Sequence, residues 1–122
     1  GRIAQITQDH SLLNDFIRNN NPTPEEIKNF PHKNVIVRAL GMREFVQVDL
    51  NKVGTKSGDR YVLCSDGLSG FVSDEEILKI ALEHDSPQNA CDALVKAANA
   101  GGGGDNITVI VLHAVDEEKT NA

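Results

Sequence analysis

The chain has 122 residues, enough for one small domain with a single core. Apolar residues make up 39% of it, charged residues 25% and aromatic residues 4%, so the core must be built mainly from Val, Ile, Leu and Ala. The formal net charge of -6 argues against a nucleic-acid or anionic-membrane partner, because an acidic surface gains nothing from releasing the counterions of those partners.

The cysteines and the apolar runs bear on the compartment. No apolar run approaches the roughly 20 residues of a membrane-spanning helix, and no basic segment followed by an apolar one marks a secretion signal. Cys64 and Cys91 lie in apolar surroundings and form no CxxC pair, so we expect both to be reduced and buried. These patterns favour a cytoplasmic protein without a membrane partner.

The first part of the chain predicts one strand and two short helices. Residues 3–7 alternate between apolar and polar, which indicates a strand, and we expect its pairing partner to lie outside the chain. Ser11 can cap a helix that ends near Asn20. Residues 23–26 (TPEE) form a capping box that begins a second helix, which must end before Pro31. Asp9 and His10, at the strand-to-helix turn, are expected to form a hydrogen-bonded pair.

The rest of the chain predicts strands, then two helices, then a last strand. Strands are expected at residues 35–37, 45–50 and 61–64, the last of them a buried one because it is continuously apolar. Capping residues at Ser73 and Ser86 begin two helices with apolar faces. The final strand covers residues 107–115. This order favours an α+β fold over regular βαβ alternation.

Two acidic residues stand out by their position next to predicted strands. Asp66 follows the strand at 61–64, and Asp105 precedes the last strand. If these two strands are antiparallel neighbours, both carboxylates lie at one edge of a sheet. Oxygen ligands of this kind suit Mg²⁺ and Mn²⁺. Asp-Gly and Gly-Asp-Asn are also common turn sequences, so a purely structural role remains open for each residue taken alone.

Other kinds of catalytic site do not fit the sequence. A cysteine phosphatase needs an Arg six residues after its Cys, and six residues after Cys64 stands Gly70. The serine-hydrolase elbow G-x-S-x-G fails at Ser65, which has Leu63 in the place of the first glycine. The glycine run 101–104 precedes a strand and no Lys follows it, unlike a phosphate-binding loop. The four histidines lack metal-ligand spacing.

Four ordered segments carry more information together than any one of them alone. They are residues 7–11 (TQDHS), 38–41 (RALG), 58–68 (GDRYVLCSDGL) and 104–109 (GDNITV). In this order and spacing they resemble motifs of the metal-dependent protein phosphatases, the PPM or type 2C serine/threonine family, in the compact form typical of bacteria. The resemblance extends over almost the whole chain.

The resemblance implies a fold and a metal site. Residues 1–115 would form the C-terminal half of a four-layer α/β/β/α sandwich, with a variable flap at about 14–43 and a polar tail at 116–122. Asp66 and Asp105 match the metal-ligand aspartates of the SDGL-like and GDN-like motifs. They would belong to a dinuclear Mg²⁺ or Mn²⁺ site that residues absent from this chain complete.

The resemblance also implies a reaction and its partners. Metal-activated water would attack the phosphorus of a phosphoserine or phosphothreonine protein without a covalent phosphoenzyme. The family's phosphate-binding Arg, bridging Asp and general-acid His have no counterpart in this sequence. We therefore expect the N-terminal half of the same domain as a partner, and inactivity of this chain alone. An exposed sheet edge would also permit an edge-mediated dimer. The alternative is a catalytically incomplete regulatory or interaction fragment, similar to a pseudophosphatase.

Overall fold

The computed structural model describes residues 1–31 and 36–116. The chain divides into a smaller unit, Gln5–Lys52, and a larger unit, which combines Gly1–Ala4 with Val53–Ala122. The predicted strand residue Val35, the histidine His32 and nearly all of the predicted tail lie outside the described residues. None of the helices in the described part of the chain is both long and apolar enough to cross a membrane.

The smaller unit contains two short helices, as its capping sequences predict. Helix α1 is Leu12–Asn20, and Ser11 caps it by accepting a hydrogen bond from the amide of Asn14. Helix α2 is Pro24–Lys28, and Thr23 begins it with a complete capping box. The rings of Phe16 and Phe30 stack with their centroids 4.8 Å apart, which packs α1 against the end of α2. Both predicted helices are therefore confirmed.

In its described residues, the larger unit contains a two-stranded sheet and three helices. Strand β1 is Arg60–Cys64 and strand β2 is Val109–His113. Between them in the chain lie α3 (Asp66–Ser69), α4 (Asp74–Glu83) and α5 (Pro87–Ala100). The two strands are antiparallel, with Cys64 opposite Val109 at one end and Arg60 opposite His113 at the other. The predicted antiparallel pairing and the mixed α+β composition are therefore confirmed.

The core of the larger unit lies between its helices and one face of the sheet. Ser73 and Ser86 cap α4 and α5 through their side chains, as predicted. The buried core cluster consists of small and branched residues from the three helices, β2 and the segment between α3 and α4: Leu68, Val72, Ile77, Ala90, Leu94, Ala98 and Val111. Val62 and Val109 pack against this cluster from the same face of the sheet. Helix α5 lies against β2 and supplies most of the cover.

The opposite face of the sheet is apolar but half-exposed. Leu63, Ile110 and Leu112, which alternate with the core-facing residues, are exposed by 50%, 52% and 51%. The prediction that the strand at 61–64 is buried is therefore wrong, because helices cover only one face of the sheet. The prediction that both cysteines are buried is also wrong, because Cys64, at the end of β1, is exposed and Cys91 is partly buried.

Three other predicted strands do not form as predicted. Residues 3–7 and 45–50 have no strand pairing, and Phe45 and Leu50 are 83% and 91% exposed. Of residues 35–37, Ile36 makes only an isolated bridge to Ser11. A strand needs a hydrogen-bonded neighbour, and the one sheet in the described residues consists of β1 and β2. Alternating sequence alone therefore does not produce a strand here. The last strand is also shorter than the predicted 107–115.

Candidate functional site

The first candidate residue, Asp66, lies where β1 changes into a helix. Ser65 follows the last residue of β1 in extended conformation, and Asp66 is the first residue of α3. The carbonyl oxygen of Ser65 accepts a hydrogen bond from the amide of Leu68 at 3.1 Å, which turns the chain into the helix. The side chain of Leu68 is fully buried, whereas Asp66 is exposed. The buried leucine therefore anchors the turn and leaves the carboxylate of Asp66 at the surface.

The second candidate residue, Asp105, lies between a glycine-rich loop and β2. Two glycines with positive φ lie in this loop, Gly102 at 130° and Gly103 at 56°. The ring of Phe71 lies so close to Gly104 that an added Cβ would stand 2.5 Å from its Cζ. One carboxylate oxygen of Asp105 accepts a hydrogen bond from the amide of Asn106 at 2.7 Å. Asp105 is itself exposed.

The segments that carry the two aspartates are in direct contact. The amide of Ser65 donates to the carbonyl of Thr108 at 3.0 Å, which extends the pairing of β1 with β2 by one residue. An added Cβ on Gly67 would stand only 2.0 Å from the carbonyl oxygen of Asn106. Each aspartate is thus the immediate neighbour of a residue in this contact. The fold brings the Asp66 and Asp105 segments together at one edge of the larger unit.

This edge is chemically suited to a hard divalent cation. Exposed carboxylates carry oxygen atoms of the type that Mg²⁺ and Mn²⁺ bind. Among the described residues, no group of three or more His, Cys, Asp and Glu side chains could hold a metal ion. Two carboxylates by themselves can supply only part of the six or more oxygen ligands that such a cation takes.

The histidine of the TQDHS segment has a different partner from the one predicted. His10 Nε2 lies 2.6 Å from a carboxylate oxygen of Asp49, and Arg38 donates to the other oxygen of that carboxylate at 2.9 Å. Asp9 instead accepts a hydrogen bond from the side chain of Gln5. The predicted pair of Asp9 and His10 is therefore wrong. The hydrogen bonds from His10 and Arg38 hold the pKa of Asp49 below its ordinary value.

Sequence patterns do not point to Asp49, because it is far from its partners along the chain. The cluster of His10, Arg38 and Asp49 joins the segment before α1 to the segment after α2, and the amide of Val37 donates to the carbonyl of His10 at 2.9 Å beside it. All of these contacts lie within the smaller unit. Together they join the segment before α1 to the segment after α2.

Comparison with known proteins identifies relatives of one class. The chain is 38% identical over 114 residues to the protein phosphatase PhpP of Streptococcus pneumoniae, covering 93% of this chain and 46% of that protein. It is 41% identical over 116 residues to the serine/threonine protein phosphatase PstP of Mycobacterium tuberculosis, covering 95% of this chain and 22% of PstP. No protein-family model matches the chain.

Solved structures lead to the same class. The catalytic domain of PstP in complex with two manganese ions matches with a TM-score of 0.78 and 39% identity, over 95% of this chain and 47% of that one. The PPM Ser-Thr phosphatase MsPP from Mycobacterium smegmatis, in complex with cacodylate, matches with a TM-score of 0.77 and 33% identity, over 92% and 47%. The chain thus spans less than half the length of the relatives that it matches.

These similarities relate the chain to the bacterial serine/threonine protein phosphatases. The relatives and the matched structures confirm the resemblance to the PPM family, and the chain corresponds to the C-terminal half of the two matched phosphatase structures.

Proposed function

We propose that the protein to which this sequence belongs hydrolyses phosphoserine and phosphothreonine in proteins, with Asp66 and Asp105 as two ligands of a dinuclear Mn²⁺ or Mg²⁺ site. The observation that carries the proposal is the contact between the two aspartate segments at one edge of the larger unit. The similarity to protein phosphatases supports the reaction, and the PstP structure with two manganese ions supports the kind of metal.

Both carboxylates are exposed, so metal ions and a substrate can reach them from solvent. Bound divalent cations lower the pKa of water and neutralise charge that develops on phosphate oxygens. Asp66 and Asp105 would hold such cations through carboxylate oxygens, and their positions at the protein surface leave the site open to a side chain as large as a phosphorylated residue of another protein. The remaining ligands would come from the N-terminal half of the domain.

The sandwich fold is part of the same proposal. The larger unit has helices on one face of its sheet and half-exposed apolar side chains on the other. A second sheet, supplied by the N-terminal half, would cover this face and give the four-layer α/β/β/α arrangement. In this proposal residues 1–115 form the C-terminal part of the phosphatase domain, and residues 14–43 form the flap beside the active site.

Replacing the two aspartates tests the proposed metal site. In the full-length protein, Asp66→Asn and Asp105→Asn should each lower Mn²⁺-dependent hydrolysis of a phosphothreonine peptide by several orders of magnitude, because each removes a charged metal ligand. Isothermal titration with Mn²⁺ should show a matching loss of affinity. The matched control is Asp92→Asn on α5, where an exposed carboxylate is bonded only to Gln88 of the same helix turn in the described contacts.

The same experiment separates the proposal from its alternative. An incomplete regulatory fragment would show no Mn²⁺-dependent hydrolysis in the unmodified full-length protein. If hydrolysis is present but Asp66→Asn and Asp105→Asn leave it unchanged, the two aspartates are turn residues, and the metal lies elsewhere.

A further inference from the structure

Ser65 differs from the other capping residues of this chain in what its hydroxyl does. Four helices begin with a Ser or Thr whose side-chain oxygen accepts a hydrogen bond from an amide of the same helix; these residues are Ser11, Thr23, Ser73 and Ser86. Ser65 stands in the same position before α3, yet its side chain makes no such bond. Its hydroxyl is turned away from its own helix.

The hydroxyl of Ser65 instead completes the pairing of the two strands. In an antiparallel ladder, every second pair of opposite residues exchanges two backbone hydrogen bonds. Ser65 and Thr108 make the first of these bonds, from the amide of Ser65 to the carbonyl of Thr108. The carbonyl of Ser65 accepts from the amide of Leu68, and the amide of Thr108 bonds to Ser65 Oγ at 3.0 Å. The side chain thus replaces a backbone acceptor.

The same hydroxyl also holds the residue next to Asp105. Ser65 Oγ donates to the carbonyl oxygen of Asn106 at 3.3 Å, while it accepts from the amide of Thr108. A hydroxyl can do both at once, because it has one donor and two acceptor positions. Ser65 therefore binds the backbone on either side of Ile107, directly beyond Asp105. In sequence, Ser65 directly precedes Asp66.

We propose that Ser65 is a positioning residue, whose hydroxyl fixes the backbone that carries Asp105 relative to Asp66. This inference rests on the proposed function, since it assigns Ser65 a role toward the metal that those two carboxylates would hold. Gly67 contributes to the same contact, because only a residue without Cβ allows α3 to lie against the carbonyl of Asn106. Loss of the Ser65 hydroxyl would leave that carbonyl and the Thr108 amide without this partner.

Two substitutions in the full-length protein test the role of the hydroxyl. Ser65→Ala should weaken Mn²⁺ binding, measured by isothermal titration with the metal alone, by about 10- to 100-fold, as is usual when a group that orients metal ligands is removed. Amide hydrogen exchange of the metal-free protein should show faster exchange at Thr108. Ser65→Thr keeps the hydroxyl in an extended backbone that tolerates a branched side chain, and it should retain both properties.

The control is Ser69→Ala, which removes an exposed hydroxyl from the last residue of α3 and should change neither quantity. If Ser65→Ala binds Mn²⁺ like the unmodified protein while Asp66→Asn does not, the positioning role is wrong and the metal site stands. If Asp66→Asn and Asp105→Asn also bind Mn²⁺ normally, the proposed function fails, and the role of Ser65 toward the metal fails with it. If Ser65→Ala does not fold, Ser65→Thr carries the test. A loss of Mn²⁺ affinity of more than about 10-fold in Ser65→Thr then overturns the inference.

Discussion

His113 is the one side chain of the described residues with a fully buried nitrogen that lacks a hydrogen-bond partner, at Nε2. It lies opposite Arg60 at the end of the sheet that is farthest from Asp66 and Asp105. The guanidinium of Arg60 donates to the carbonyl oxygens of Ala81 and His84. Burial lowers the pKa of His113, and the charge of Arg60 lowers it further, while Asp85 acts in the opposite direction. The native fold therefore favours the neutral form of this histidine.

The lowered pKa of His113 predicts a loss of stability in weak acid. Below the ordinary pKa of 6.5 the unfolded chain binds a proton at this side chain that the folded chain takes up only at lower pH. The free energy of unfolding should then fall as the pH drops through 6.5. Urea unfolding at about pH 7.5 and at about pH 5.5 gives the free energy of unfolding at each pH. The difference between these two free energies should be smaller in His113→Gln than in the unmodified protein. An unchanged difference would assign the acid sensitivity to other groups.

At the scale of single elements, four of the five described helices follow from local sequence, whereas three of the five predicted strands do not form as predicted. Capping residues and the apolar faces of α4 and α5 predict their starts and their buried residues, because a helix satisfies its hydrogen bonds within itself. Residues 45–50 have the alternation of a strand but no neighbour to pair with. Strand formation depends on a partner that is distant in sequence, and alternation carries no information about whether that partner is present.

Helix α5 is the element on which the larger unit most depends. Leu94 is completely buried at its centre, whereas Leu82 on α4 is 49% exposed. Leu94→Ala should lower the free energy of unfolding by about 2–5 kcal/mol, because it opens a cavity between α5 and the sheet. Leu82→Ala, with the same chemical change at a half-exposed position, should cost less than about 1 kcal/mol.

Urea unfolding followed by circular dichroism measures both leucine variants. Equal effects of the two substitutions would mean that the core of the larger unit is not centred on α5.

At the scale of the whole molecule, the sequence predicts that the two candidate aspartates lie near one another, but not the side-chain contacts around them. Asp66 and Asp105 are recognisable because each lies beside a strand within a motif, and the antiparallel pairing of β1 and β2 brings their segments together. Neither the contact of Asp49 with His10 nor the bridging hydroxyl of Ser65 could be predicted, because both join residues that are distant in sequence through side-chain geometry. Contacts of this kind become visible only in three dimensions.

Substitutions on the half-exposed face of the sheet can be compared between the 122-residue chain and the full-length protein. Ile110→Asn should change the stability of the 122-residue chain by less than about 1 kcal/mol, because Ile110 is already half in solvent. In a full-length protein whose second sheet covers this face, the same change should cost about 2–5 kcal/mol, because a polar group is then buried.

Val111→Asn is the matched control for that comparison, because Val111 is the next residue in β2 and is buried against the helices. Val111→Asn should lower the free energy of unfolding of both the 122-residue chain and the full-length protein. Urea unfolding gives the free energies, and size-exclusion chromatography shows whether the shorter chain pairs through its sheet edge. A small effect of Ile110→Asn in both lengths would argue against the second sheet.

The contact between the Asp66 and Asp105 segments has a consequence for how the fold is held. Those segments stand at the two ends of the stretch that contains α3, α4 and α5. A cation shared by both carboxylates would close this stretch into a ring, as a covalent cross-link does, and would restrict the unfolded chain. The melting temperature of these helices would then rise as more of the sites bind metal. The metal ion of the proposed active site would thus also stabilise the fold.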